Sequence, residues 1–120
     1  MPVHVKRIYE AKSSDDGYRV LVDRLWPRGI KKEDSQIDEW LKEVAPSHNL
    51  RKWFGHQTEK WELFCKQYSS ELQASAAFAQ LKNLINKHKT LTLLYSAKDK
   101  QHNQAIVLQR LLQPPGLKSS

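Results

Sequence analysis

A single cysteine, Cys65, stands among the 120 residues, so no internal disulfide can form and the expected setting is a reducing cytoplasm. No apolar run approaches the roughly 20 residues of a membrane-spanning helix. The opening Met1-Pro2-Val3-His4 lacks the apolar core of a signal peptide, so no membrane partner is expected. Glycine is scarce, and the phosphate-cradling and nucleophile-elbow patterns GxGxxG, GxxxxGK[ST] and GxSxG are all missing. The five histidines show no HxxxH spacing and there is no CxxC, so neither a metal nor a cofactor is expected. Acidic residues are the scarcer charge, 13 against 20 Lys and Arg.

That excess of positive charge is unevenly placed. Residues 1–32 carry eight Lys/Arg against four Asp/Glu, residues 33–86 six against eight, and residues 87–120 six against one. The two terminal thirds are therefore basic at +4 and +5, and they also hold the strands. Neighbouring strands from these thirds would create a basic face able to attract phosphates or nucleic acid, although scattered surface lysines would give the same total.

With 39% hydrophobic residues the chain is an ordinary globular one, and its length suits one core. One α/β domain is expected over residues 1–113, with a flexible tail at 114–120 around Pro114-Pro115-Gly116. Val3–Tyr9 alternates as a first strand. Ser13–Gly17 is a turn cluster, and Tyr18–Leu25, with its unbroken Val20-Leu21-Val22, reads as a central strand stopped by Pro27 and Gly29. Ser35 is a plausible N-cap for a helix placing Ile37, Trp40, Leu41 and Val44 on one face. Further helices follow from Ser47 to Gly55, from Thr58 through Leu72, and over 75–88. Thr90–Tyr95 is a buried strand, and a last helix carries Ala105, Leu108 and Leu112. The fold expected is α/β, a small, mostly parallel sheet of about three strands with about five helices. The direction of the first strand is open, since the short connection Glu10–Gly17 also suits a hairpin-like return. Oligomeric state is open as well.

Parallel neighbours would bring the ends of the second and third strands together, the edge where open α/β sheets bind ligands. Asp23, Arg24, Trp26 and Arg28 would then face Tyr95, Ser96, Lys98, Asp99, His102 and Asn103. Arginine recognises phosphate or carboxylate through a planar fork and stays charged at any working pH. Arg24, Arg28 and Lys98 are the candidate cations, and Trp26 and Tyr95 candidate stacking groups. His56 or His102 could move a proton, oriented by Asp23 or Asp99, and Asn103 could bind ligand at the start of the last helix. Each also has a structural role open to it. Arg24 could pair with Asp23, Asp99 or Asp38, Trp26 could be packing, and Asp99 or Asn103 could be a helix cap. Cys65, on an apolar helix face, reads as core packing.

Several blocks match a known family. Lys6-Arg7-Ile8-Tyr9-Glu10, the run Asp16–Gly29 with Val22-Asp23-Arg24-Leu25-Trp26-Pro27-Arg28-Gly29, and Trp53-Phe54-Gly55-His56 come in order. Asp38–Glu43, Leu93–Asp99 and His102-Asn103-Gln104-Ala105 complete the series. Over roughly residues 3 to 112 the chain resembles the YeaO-like family, within a larger grouping named only as a domain of unknown function. The resemblance implies a compact α/β domain of bacterial-type cytoplasmic proteins. It also implies a site at Asp23, Arg24, Lys98, Asp99 and His102. More distant members carry a Cys in the last loop, where Gln101 and Asn103 flank His102 here, so a thiol mechanism is not expected.

Two functions fit. One is binding of, or acid/base chemistry on, a small anionic or phosphorylated ligand at the strand ends. The other is a nucleic-acid-binding module that uses the basic face. Asp23 and Asp99 beside the cations favour the first, because a phosphate groove gains little from carboxylates.

Overall fold

Ten residues join the first two strands, fewer than a helical crossover needs, and this decides how the sheet is covered. The computed structural model describes residues 3–113. In it β1 (Val3–Arg7), β2 (Tyr18–Leu21), β3 (Glu39–Trp40) and β4 (Leu91–Tyr95) form one parallel sheet, ordered β1-β4-β2-β3. The helices are α1 (His48–Phe54), α2 (Trp61–Gln73), α3 (Ala76–Lys87) and α4 (Gln104–Leu112). The α/β class and the parallel sheet are as the sequence predicts, with four strands and four α-helices rather than three and five. The expected tail at 114–120 lies outside the described residues. No helix among those residues is long and apolar enough to cross a membrane.

Successive strand side chains point to opposite faces, so the two faces can be read off the burial. Val20, Val22, Leu91, Leu93 and Tyr95 pack with Leu50, Phe54, Phe64, Tyr68, Leu81 and Leu108 in a core supplied by all four helices. The opposite face is covered by loops instead: Ile8, Leu21 and Leu94, with Trp40 of β3 beside them, meet Trp26, Ile30 and Ile37. Tyr68 ties α2 to the loop before α1, its buried hydroxyl donating to the Val44 carbonyl at 2.6 Å.

The helix expected from Ser35 is absent. Ser35 closes a 3-10 turn at Lys32–Asp34, and Gln36 then takes a left-handed φ of 55°. Asp38 N–H donates to the Arg19 carbonyl at 2.8 Å and Leu41 N–H to that of Leu21 at 2.9 Å, which sets β3 beside β2. The physical reason lies in the apolar residues themselves. Ile37 and Trp40 pack on the loop-covered face, whereas Leu41 and Val44 enter the helix-side core. Spacing that mimics one helical face therefore serves two sides of a sheet.

The short β1–β2 connection runs back along the sheet and delivers Asp16 to its loop-covered face. Ser13 and Asp16 form a capping box, with Asp16 Oδ2 accepting from Ser13 N–H at 3.0 Å. Asp16 also pairs with Lys6 at 3.1 Å and with the buried Arg19, and its carbonyl accepts from Thr92 Oγ1 at 2.7 Å. Gly17 follows with a φ of 65°, and a Cβ there would lie 2.2 Å from the Thr90 oxygen. Only glycine lets β2 enter beside β4 at this point.

Candidate functional site

With β4 between β1 and β2, three strands end side by side. Beyond their carboxyl ends lies a crevice of about 710 Å³. Strand β1 brings Arg7 and Tyr9, the β2 exit Asp23 to Arg28, and the β4 exit Ser96 to Lys98. Ala45, Arg51 and His56 close one wall, and Gln104 reaches in from the first turn of α4.

Five cations thus face one carboxylate. Arg7 donates to the carbonyls of Ala97 and Ser96, each at 2.9 Å, and sits 4.9 Å from the centroid of the Tyr9 ring. Arg24 donates to Glu43 at 3.2 Å and to the carbonyls of Ala45 and Pro46 at 3.1 and 3.3 Å. Arg24 thereby fastens the β2 exit to the loop before α1. The Arg51 Nε–H donates to the Pro46 carbonyl at 3.3 Å, which leaves both Nη groups without a bond among the described residues. Arg28 and Lys98 are exposed, and among the described residues their cationic groups make no hydrogen bond or ion pair.

Asp23 is buried where β2 ends. Its Oδ2 accepts from Ser96 N–H at 2.9 Å and its Oδ1 from the Gln104 amide, which joins β2, β4 and α4. Burial raises its carboxyl above the ordinary range, and the bonds from Ser96 and Gln104 with the charge of Arg51 only partly offset that. Trp40 Nε1 donates to the Asp23 carbonyl at 2.7 Å. Trp26 is fixed by a 2.6 Å bond from its Nε1 to the Ile30 carbonyl and meets Trp40 edge-on at 5.3 Å. His56 stands exposed on the rim. It follows the left-handed cap Gly55 and itself has a φ of 59°, an uncommon conformation for a non-glycine residue.

Of the residues singled out from the sequence, Asp23, Arg24, Trp26, Arg28, Lys98 and His56 share this crevice. Tyr95, Asp99, His102 and Asn103 do not line it. Tyr95 is buried in the helix-side core, where desolvation raises its phenol pKa. Asn103 caps α4, accepting from Ile106 N–H at 3.1 Å. Asp99 holds His102 Nδ1 at 2.9 Å and accepts from the backbone of Gln101 and His102, bonds that lower its carboxyl pKa. The His102 ring stands edge-on to Trp61 at 5.1 Å. Cys65 is half-buried against the core, and desolvation pushes its thiol up, away from nucleophilic character.

Arg7, Tyr9, Arg51 and Gln104 are crevice residues that the sequence reading missed. Arg7 and Tyr9 carry the same signal as Arg24 and Arg28, polar groups leaving a strand, and become visible once β1 is placed parallel to β4. Arg51 and Gln104 sit inside helical patterns that carry no such signal.

The family model for DUF488-N3i, described as the inactive DUF488-N3 subclade, matches residues 2–118. The chain belongs to that family. Among its relatives, YeaO of Escherichia coli, an uncharacterised protein, is 47% identical over 108 residues, covering 90% of this chain and 94% of the relative. Uncharacterised proteins of Mycobacterium tuberculosis and Mycobacterium bovis are each 44% identical over 110 residues, 92% of both chains. No solved structure matches. The chain is thus a member of the DUF488-N3i family and similar to YeaO, as its sequence blocks indicate, and the family match over residues 2–118 spans the crevice residues at both ends of the chain.

Proposed function

We propose that this DUF488-N3i protein binds a small anionic, phosphorylated ligand in the strand-end crevice and holds it without turnover. The observation that carries the proposal is the imbalance of the lining: Arg7, Arg24, Arg28, Arg51 and Lys98 against Asp23 alone. Three of these cations are pinned by backbone carbonyls, so their charge is pre-positioned. Arg28 and Lys98 are free to close on a ligand from opposite loops. Binding rather than turnover is favoured by the engagement of Asp23 with Ser96 and Gln104, by the place of the Asp99–His102 pair outside the crevice, and by the family's description as inactive. A concave crevice of this volume suits a small molecule better than an extended strand of nucleic acid.

Thermal melting with phosphate, pyrophosphate and short oligonucleotides at low and high salt tests the proposal. A ligand at 100 times its Kd adds about 2.7 kcal/mol, a shift of several degrees. Pyrophosphate is expected to raise the Tm of the native protein in both salts and to raise that of Arg28→Ala much less, while Arg28→Ala without ligand melts like the native protein. Stabilisation by oligonucleotides alone, vanishing at high salt, would instead mark a nucleic-acid face.

A further inference from the structure

The crevice is larger than a phosphate needs, and part of its wall is apolar. Only four large hydrophobic residues among those described are exposed, and two of them, Leu25 at 71% and Tyr9 at 46%, line this crevice. Both stand beside its cations. The Tyr9 ring is held in place, with Arg7 near one face and its hydroxyl donating to the Arg28 carbonyl at 2.9 Å. That bond also ties the β1 exit to the loop carrying the free Arg28 cation. Trp26, locked by its bond to Ile30, continues the same wall. A side chain as exposed as Leu25 buries little surface in the fold, whereas a flat apolar group laid on it would cover surface now facing water.

We infer that the anion is carried on a planar ring: the ligand class is a nucleoside phosphate, with its phosphates toward Arg28 and Lys98 and its base on the shelf of Tyr9, Leu25 and Trp26. This rests on the anion-binding reading above and adds the chemistry of the rest of the ligand. Charge complementarity selects the phosphate end. The rigid aromatic and leucine surface selects the flat end without reading a particular base, since every base has a π-face.

The test compares inorganic pyrophosphate with ADP by calorimetric titration of the native protein, Leu25→Ser and Arg28→Ala. ADP is expected to bind about ten-fold tighter than pyrophosphate to the native protein, in line with base stacking. Leu25→Ser should remove most of that advantage and leave pyrophosphate binding unchanged, whereas Arg28→Ala should weaken both probes alike. Leu25→Ser is expected to melt like the native protein without ligand, so a lost advantage reports the shelf and not the fold. Equal affinity for ADP and pyrophosphate would overturn the nucleoside inference and leave the anion site standing. Binding of neither would overturn both. Binding of a single-stranded oligonucleotide, steeply salt-dependent and without ADP binding, would overturn the inference in favour of a nucleic-acid groove.

Discussion

Asp16→Ala is expected to destabilise the protein by about 3–5 kcal/mol, the usual result of removing one partner from a buried ion pair. Arg19 is 2% exposed and would keep its charge inside the sheet with only the Gln36 carbonyl, 2.8 Å from Nε, still bonded. Lys6 would lose its partner too, and Ser13 N–H the acceptor that shapes the β1–β2 connection. Urea denaturation measures the loss, and Asp16→Asn, which keeps the shape and one acceptor, should lose less. A loss under 1 kcal/mol for Asp16→Ala would show that the carboxylate does not hold this face together.

The same residue sets an acid limit. Burial alone would raise the Asp16 carboxyl, but bonds from Ser13 N–H, Lys6 and Arg19 outweigh it and hold the pKa below its ordinary 3.8. A folded pKa below the unfolded one gives stability that is complete above the unfolded value and is lost as pH falls through the folded value. Acid unfolding should therefore begin below about pH 4, and that step should be weaker in Asp16→Asn.

Asp23→Ala and Asp23→Asn should part company. Alanine leaves Ser96 N–H and the Gln104 amide without their charged acceptor, and a loss of about 1.5–3 kcal/mol is expected. Asparagine can still accept from Ser96 N–H through its Oδ1 and, once the Gln104 amide turns over, donate from its Nδ2 to Gln104 Oε1. Its stability should stay close to native. Because burial raises the Asp23 carboxyl, the native state holds a proton that the unfolded state has released between the two pKa values. Stability from this group therefore falls as pH rises across that interval, opposite in sign to Asp16. Asp23→Asn should flatten that slope. It also removes the one negative charge among five cations, so pyrophosphate should bind Asp23→Asn more tightly than the native protein. Equal losses of stability in both variants would contradict this account of Asp23.

The β2 exit was legible because an apolar strand running into Asp23, Arg24, Trp26 and Arg28 is a local pattern, and Gly55 announced the turn that places His56. Lys98 followed from the second strand of that kind. What stayed hidden was long-range. Nothing local says that β4, ninety residues along the chain, fits between β1 and β2, and that insertion brings Arg7 and Tyr9 to the crevice. The segment at 35–45 misled for a related reason, since apolar spacing does not tell one helical face from two sides of a sheet. The Asp16–Arg19–Lys6 cluster needed the same knowledge, because its partners converge only when the β1–β2 connection folds back over β4.

The central claim, an anion site at the carboxyl ends of β1, β2 and β4, is tested most directly by following backbone amide NMR signals during titration with pyrophosphate. The account predicts saturable shifts concentrated at residues 7–9, 23–28 and 96–98. Shifts centred instead at the opposite end of the sheet, where His4, Tyr18, His88 and Lys89 line a second cavity, or no saturable shifts at all, would contradict it.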